Sequence, residues 1–150
     1  MKLWRICRRA FSNLNGEGAR LYGGRWSSEG LPVVYLSTSL PLVVLEYLVH
    51  VDVKTAPADL VRLEVDIPDG TTWEAIRLQD LPADWNTTSD HPSCVDAGDG
   101  WMRGGRSGLL FVPSAIVPTD LNVLMNPAHP ESRAATVGAE PFVLDRRLLD

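Results

Sequence analysis

Cysteine is scarce: Cys7 and Cys94 are the two in 150 residues. They could form one bridge at most and have no partner at metal-ligand spacing, so they read as thiols of a reducing compartment, with the cytoplasm as the default location. The three histidines, His50, His91 and His129, lie far apart without His-x-x-x-His or Glu-x-x-His spacing, so no metal is expected. No apolar run approaches the ~18 residues of a membrane span. Charge interrupts Met1-Lys2-Leu3-Trp4-Arg5-Ile6-Cys7-Arg8-Arg9 before an export signal could build up, so neither membrane nor secretion is expected. Basic residues are in deficit, 14 Lys+Arg against 19 Asp+Glu for a net charge of −5. No overall field draws the chain to phosphate backbones, which disfavours direct nucleic-acid binding. Gly16-Glu17-Gly18 has Leu21 where a Rossmann fingerprint needs its third glycine, and no Gly-Lys-Ser/Thr element exists for a P-loop.

What is present suits one compact domain over residues 1–150, with 45% hydrophobic and 22% charged residues. A domain of this size buries roughly 70% of the surface its unfolded chain exposes. Twelve glycines and eleven prolines call for many turns. Residues 3–7 read as a strand with Trp4 and Ile6 on one face and Arg5 on the other with Leu3 and Cys7. Residues 12–25, with four glycines and no period, read as a long loop whose backbone comes close to something. A strand over 32–36 leads through the hydroxyls of Ser37, Thr38 and Ser39 into a helix to about His50. Residues 60–67 alternate cleanly, with Val61, Leu63, Val65 and Ile67 on one face. Residues 71–89 have no convincing period; 92–103, behind Ser89 and Asp90 as caps, suits a second helix. Strands follow at 108–112, 121–125 and 142–144. The expected fold is a single α+β domain, a mostly antiparallel sheet with a few helices.

Glu46 is the most informative residue, because it interrupts the apolar run Leu42-Val43-Val44-Leu45. Burying an unpaired carboxylate costs several kcal/mol, on the scale of a domain's whole net stability. It therefore sits either on a narrow exposed stripe with Val43, Tyr47 and His50, or in a cleft opposite a cation. Arg5, Arg20 and Arg25 are the candidate cations, since guanidinium forks bind phosphate bidentately; Arg20 suits simple solvation. In Gly23-Gly24-Arg25-Trp26 the glycines would let backbone approach a ligand, while the Trp26 ring reads as core. Tyr35 is core packing or a stacking face for a flat ligand. Ser114 has no Gly-x-Ser-x-Gly around it, so a nucleophile elbow is unsupported.

In order along the chain, Leu3-Trp4-Arg5-Ile6, Gly16-Glu17-Gly18-Ala19-Arg20 with Gly23-Gly24-Arg25-Trp26, Pro32-Val33-Val34-Tyr35, Leu45-Glu46-Tyr47-Leu48-Val49-His50, Val112-Pro113-Ser114-Ala115 and Asn126-Pro127-Ala128-His129-Pro130 resemble the RES-domain toxins of bacterial toxin–antitoxin pairs. Residues 68–107 match poorly. The Arg, Glu and Ser of the family's name fall on Arg25, Glu46 and Ser114. The resemblance implies a fold like that of ADP-ribosyltransferases, destruction of NAD as substrate, and a cognate Xre-like helix-turn-helix antitoxin; it also allows a homodimer. Under it Glu46 would stabilise an oxocarbenium-like ribose as in glycoside hydrolysis. Arg5 and Arg25 would hold the pyrophosphate, Tyr35 would stack on nicotinamide, and Ser114 would hydrogen-bond nicotinamide or its ribose. A cationic leaving group needs no second acid.

Two other readings of the same residues are an ADP-ribosyltransferase that modifies a protein and a binding module that holds a nucleotide or partner without turnover. A ribonuclease is disfavoured by the charge and by the absence of a visible His/Glu or His/His pair.

Overall fold

The computed structural model describes residues 1–52 and 55–149. Seven strands and three helices follow in the order β1 (Lys2–Arg8), α1 (Glu17–Tyr22), β2 (Val34–Ser37), α2 (Leu40–Leu48), β3 (Leu60–Asp66), β4 (Trp73–Ala75), α3 (Pro92–Gly104), β5 (Leu109–Pro113), β6 (Leu121–Met125) and β7 (Thr136–Pro141). All seven strands lie in one sheet, in the order β4-β5-β6-β2-β1-β3-β7. Only β4 with β5 is parallel; the other pairings are antiparallel.

Alternation assigns the faces. Leu3 and Cys7 of β1 join Val34, Leu36, Leu63, Val65, Val123 and Met125 in one buried cluster. Trp4 and Ile6 face the other way, where α2 covers them through Val43, Val44 and Leu48. On that same side α3 packs through Cys94 and Trp101 against Leu110, Val112 and Leu124. Ser39 starts α2 by accepting the Leu42 N–H at 3.3 Å, with Pro41 in the first turn, the cap its sequence predicts.

The sheet is nearly two sheets. Strands β1 and β3 pair over seven register positions and β2 with β6 over four, but β1 and β2 meet at Trp4↔Ser37 alone. This seam divides β4-β5-β6-β2 from β1-β3-β7, and the site lies along it.

Four sequence expectations change. The 12–25 loop contains α1, started by the Asn15 side chain accepting the Glu17 N–H and braced by the Glu17–Arg20 ion pair. Helix α3 is capped by His91, whose Nδ1 accepts the Ser93 N–H, and not by Ser89 or Asp90. The last strand is Thr136–Pro141 and not 142–144. It is exposed throughout and shows no apolar alternation, so pairing with the open edge of β3 fixes it, helped by the cross-strand Arg62–Glu140 pair. Finally, 71–89, which reads as loop mixed with short helix, has a short 3-10 helix at Leu78–Asp80 and also the strand β4.

Gly98 lets α3 lie directly on backbone: a Cβ there would stand 1.7 Å from the Trp26 carbonyl oxygen, whereas one at Gly100 would meet nothing within 4 Å. Overpacking of this kind costs ~1–3 kcal/mol or more, and removing an exposed helical glycine gains up to ~1 kcal/mol. Gly98→Ala should therefore lower the thermal midpoint by several degrees, and Gly100→Ala should hold or raise it, in parallel melts followed by circular dichroism.

Candidate active site

A cavity of about 210 Å³ opens in the seam, lined by Arg5 and Ile6 of β1, Tyr35, Leu36 and Ser37 of β2, Val43, Glu46 and Tyr47 of α2, His50 and Asn122. Residues that alternate to opposite faces of the two strands line it together, so the cavity enters the gap where β1 and β2 stop pairing. The stripe Val43, Glu46, Tyr47 and His50 forms one wall, so both readings of Glu46 merge: it lies on the stripe, half-buried, and the stripe faces a cavity. Leu45 and Val49, on the remaining helix surface, are exposed.

The Glu46 carboxylate is held through one oxygen. Its Oε1 accepts from Ser114 Oγ at 2.7 Å and from Asn122 Nδ2 at 2.6 Å. Ser114 is 0% exposed and its hydroxyl is saturated, because Oγ also accepts the N–H groups of Ile116 and Val117 at 3.1 Å each. The serine therefore stands behind the carboxylate, with its single hydrogen committed to Glu46. The hydrogen that the family resemblance would give to nicotinamide or its ribose is here given to Glu46.

Tyr35 is among the lining residues, and its hydroxyl is fixed on the Trp26–Ser27 segment. That hydroxyl accepts the Trp26 N–H at 3.1 Å and lies 2.8 Å from Ser27 Oγ. Gly24 permits this approach, since a Cβ there would fall 2.5 Å from the Tyr35 hydroxyl oxygen. Gly24 thus makes room for a side chain where the sequence suggested a ligand, while Gly23 lies against the backbone of 27–29. Segment 26–28 is in turn held by the buried Asp99 of α3, whose carboxylate accepts Ser28 N–H and Oγ at 2.8 and 2.5 Å.

The two arginines expected as one clamp are separated. Arg5 lines the cavity, and its Nη1 reaches the Asn13 carbonyl at 3.5 Å. Arg25 is not among the lining residues; its Nη1 donates to the Thr88 carbonyl at 2.6 Å and its guanidinium lies 6.0 Å from the Trp85 ring centroid, tying the segment before α3. Arg20 makes an exposed pair with Glu17. A second chamber of about 590 Å³ adjoins the first, sharing Arg5, Ile6 and Tyr47 and adding Phe11, Asn13, Asn15, Leu21 and Tyr22. Asn122 and Ser37 were missed by sequence reading. Asn122 had one signal, a lone polar residue in an otherwise apolar strand. Among the described residues no group of three or more His, Cys, Asp or Glu could hold a metal ion, and no helix is long and apolar enough to cross a membrane.

Fold and site define an α+β protein in which a half-buried carboxylate and a guanidinium line one cavity in a split sheet. The sequence matches the RES domain over residues 2–145, and the chain belongs to that family. It is 39% identical to "Toxin Res" of Photorhabdus laumondii subsp. laumondii over 99% of this chain and 97% of the relative. It is 35% identical to a "Prs ADP-ribosylating toxin" of Sphingobium sp. over 87% and 84%. Its fold matches a chain in the crystal structure of the M. tuberculosis MbcT–MbcA toxin–antitoxin complex with a TM-score of 0.76, at 20% identity, over 99% of this chain and 86% of that one.

Burial pushes the Tyr35 hydroxyl above the ordinary phenol range, more than its contacts with Ser27 and Trp26 pull it down, and burial likewise raises the Cys7 and Cys94 thiols. Groups held neutral in this way contribute stability that is complete below their unfolded pKa values, ~8.5 for Cys and ~10 for Tyr, and lost as pH rises through the folded ones. Unfolding free energy measured by urea titration should thus fall from about pH 9 upward. Tyr35→Phe should make the fall shallower above ~pH 10, while lowering stability at neutral pH because the buried Trp26 N–H loses its acceptor.

Proposed function

We propose that this chain is an NAD-consuming toxin that breaks the nicotinamide–ribose bond in the seam cavity. The observation that carries the reading is a carboxylate held from behind by two donors, in a cavity that Arg5 and Tyr35 also line. In the cleavage the C1′–N bond breaks and its electron pair leaves with nicotinamide, which departs neutral without protonation. The ribosyl centre gains positive charge, and the Glu46 carboxylate would stabilise it electrostatically. Water or phosphate then captures that centre.

Arg5, which lines both chambers, suits the pyrophosphate between the two halves of the dinucleotide. The larger chamber, with Phe11, Tyr22 and Tyr47 in its walls, suits the adenosine half. Tyr35 shapes the nicotinamide end. Arg25 and Ser114 support the cavity from behind, Arg25 through the 85–88 segment and Ser114 through Glu46.

Transfer of ADP-ribose to a protein is the second reading, favoured by the name of the Sphingobium relative; it uses the same groups and needs only an acceptor side chain at the mouth. The toxin role implies a cytoplasmic setting and an antitoxin, for which an Xre-like helix-turn-helix protein with a basic surface would complement a net charge of −5.

Purified protein incubated with NAD alone should release nicotinamide. Glu46→Gln should lower the rate at least ~100-fold, the scale of losing one electrostatic stabiliser, with an unchanged circular dichroism spectrum. Arg5→Ala should raise KM roughly 10-fold, the loss of about one charged hydrogen bond. Radiolabelled acceptor protein in place of free ADP-ribose would favour the transfer reading, and neither product would reject both.

A further inference from the structure

Glu46 Oε2 has no protein partner among the described residues, so the arrangement that holds Oε1 also decides where Oε2 points. One of the two donors is itself oriented. Ser37 Oγ donates to Asn122 Oδ1 at 2.5 Å, which leaves the Asn122 amide nitrogen facing Glu46. Ser37 and Asn122 are cross-strand register partners in β2 and β6, and Asn122 stands opposite Val112 of β5, so the pair is set by two ladders. We propose that Asn122, locked by Ser37, is a positioning residue that aims the free oxygen of Glu46 into the cavity. The role rests on the reading of Glu46 as the group that stabilises the ribosyl centre.

The terminal torsion of a glutamate is broad and roughly two-fold, so the Ser114 hydrogen bond alone leaves the carboxylate plane free to turn about that contact. The second donor removes this freedom. Misplacing a reacting group by about 1 Å can cost ~100-fold in rate, whereas binding of the rest of a dinucleotide does not depend on that angle. Loss of Asn122 should therefore appear in kcat and leave KM alone.

Asn122→Asp keeps the shape and still accepts from Ser37, but presents an oxygen where Glu46 needs an N–H. Its kcat for nicotinamide release should fall about 100-fold, with KM within about threefold of the parent. Ser37→Ala frees the amide to flip and should give a smaller kcat loss, on the order of fivefold, which Ser37→Thr restores. A parent that releases no nicotinamide refutes the proposed activity itself. Active parent protein with Asn122→Asp at parental kcat refutes the positioning role, as does a rise in KM at constant kcat, which would place Asn122 on the ligand. If Asn122→Asp does not fold, Ser37→Ala and its threonine rescue decide by the same split. Failure of both to fold assigns the pair to sheet assembly and overturns the proposal.

Discussion

The Glu46 carboxylate ties the two halves of the sheet together across their seam, on the face opposite the apolar cluster that they share. Helix α2, which carries it, rests on Ile6, Leu60 and Leu144 on the β1-β3 side of the seam. Its two donors, Ser114 and Asn122, belong to the β5-β6 side. Along the sheet those sides meet through one register pair, Trp4↔Ser37. A gap in a sheet normally leaves backbone groups and apolar side chains in want of partners. Here the gap is bridged at its top by a carboxylate with charge-assisted hydrogen bonds, which are about twice as strong as neutral ones. The shared apolar cluster on one face and this bridge on the other hold the halves together around the open seam.

The opposite wall is built by relay. Asp99 in α3 holds Ser28, the 26–28 segment holds the Tyr35 hydroxyl, Gly98 lets α3 lie on the Trp26 backbone, and Gly24 makes room for the Tyr35 side chain. Each member is buried or half-buried and its polar atoms are engaged, which makes this wall a stiff surface for a flat ring. The Arg25 guanidinium extends the relay to Trp85 and Thr88. Its charge then acts on the wall's construction, while Arg5 is the guanidinium that the cavity itself contains.

Legibility in the sequence followed burial. Strands β1 and β3 and helix α2 are readable because alternation, or a serine cap with a following proline, writes their packing into the order of residues, and β6 because it is a short apolar run. Strand β7 was not, since its stability comes from an edge that β3 offers and not from its own residues. Helix α1 has six residues, one of them Gly18, and depends on Asn15 and an Arg20–Glu17 pair that no period announces. In the site, Glu46, Arg5 and Tyr35 were legible as polar or aromatic residues in apolar surroundings. The different surroundings of Arg25 and Arg5 were not, because nineteen intervening residues hide which carbonyls a guanidinium meets.

Ser114 shows why a residue's presence at a site does not fix its contact. A hydroxyl has one hydrogen and two lone pairs, and here two backbone N–H groups take the lone pairs while Glu46 takes the hydrogen. A ligand could bond to it only by breaking one of these, and each break would leave a buried group unsatisfied at a cost of ~1–3 kcal/mol. The N–H groups of Ile116 and Val117 fix where the hydroxyl stands, and the hydroxyl fixes Oε1. The turn after β5 is thus as much a part of the cavity's construction as the helix that carries the carboxylate, and among the described residues it leaves Oε2 as the oxygen that protein donors do not occupy.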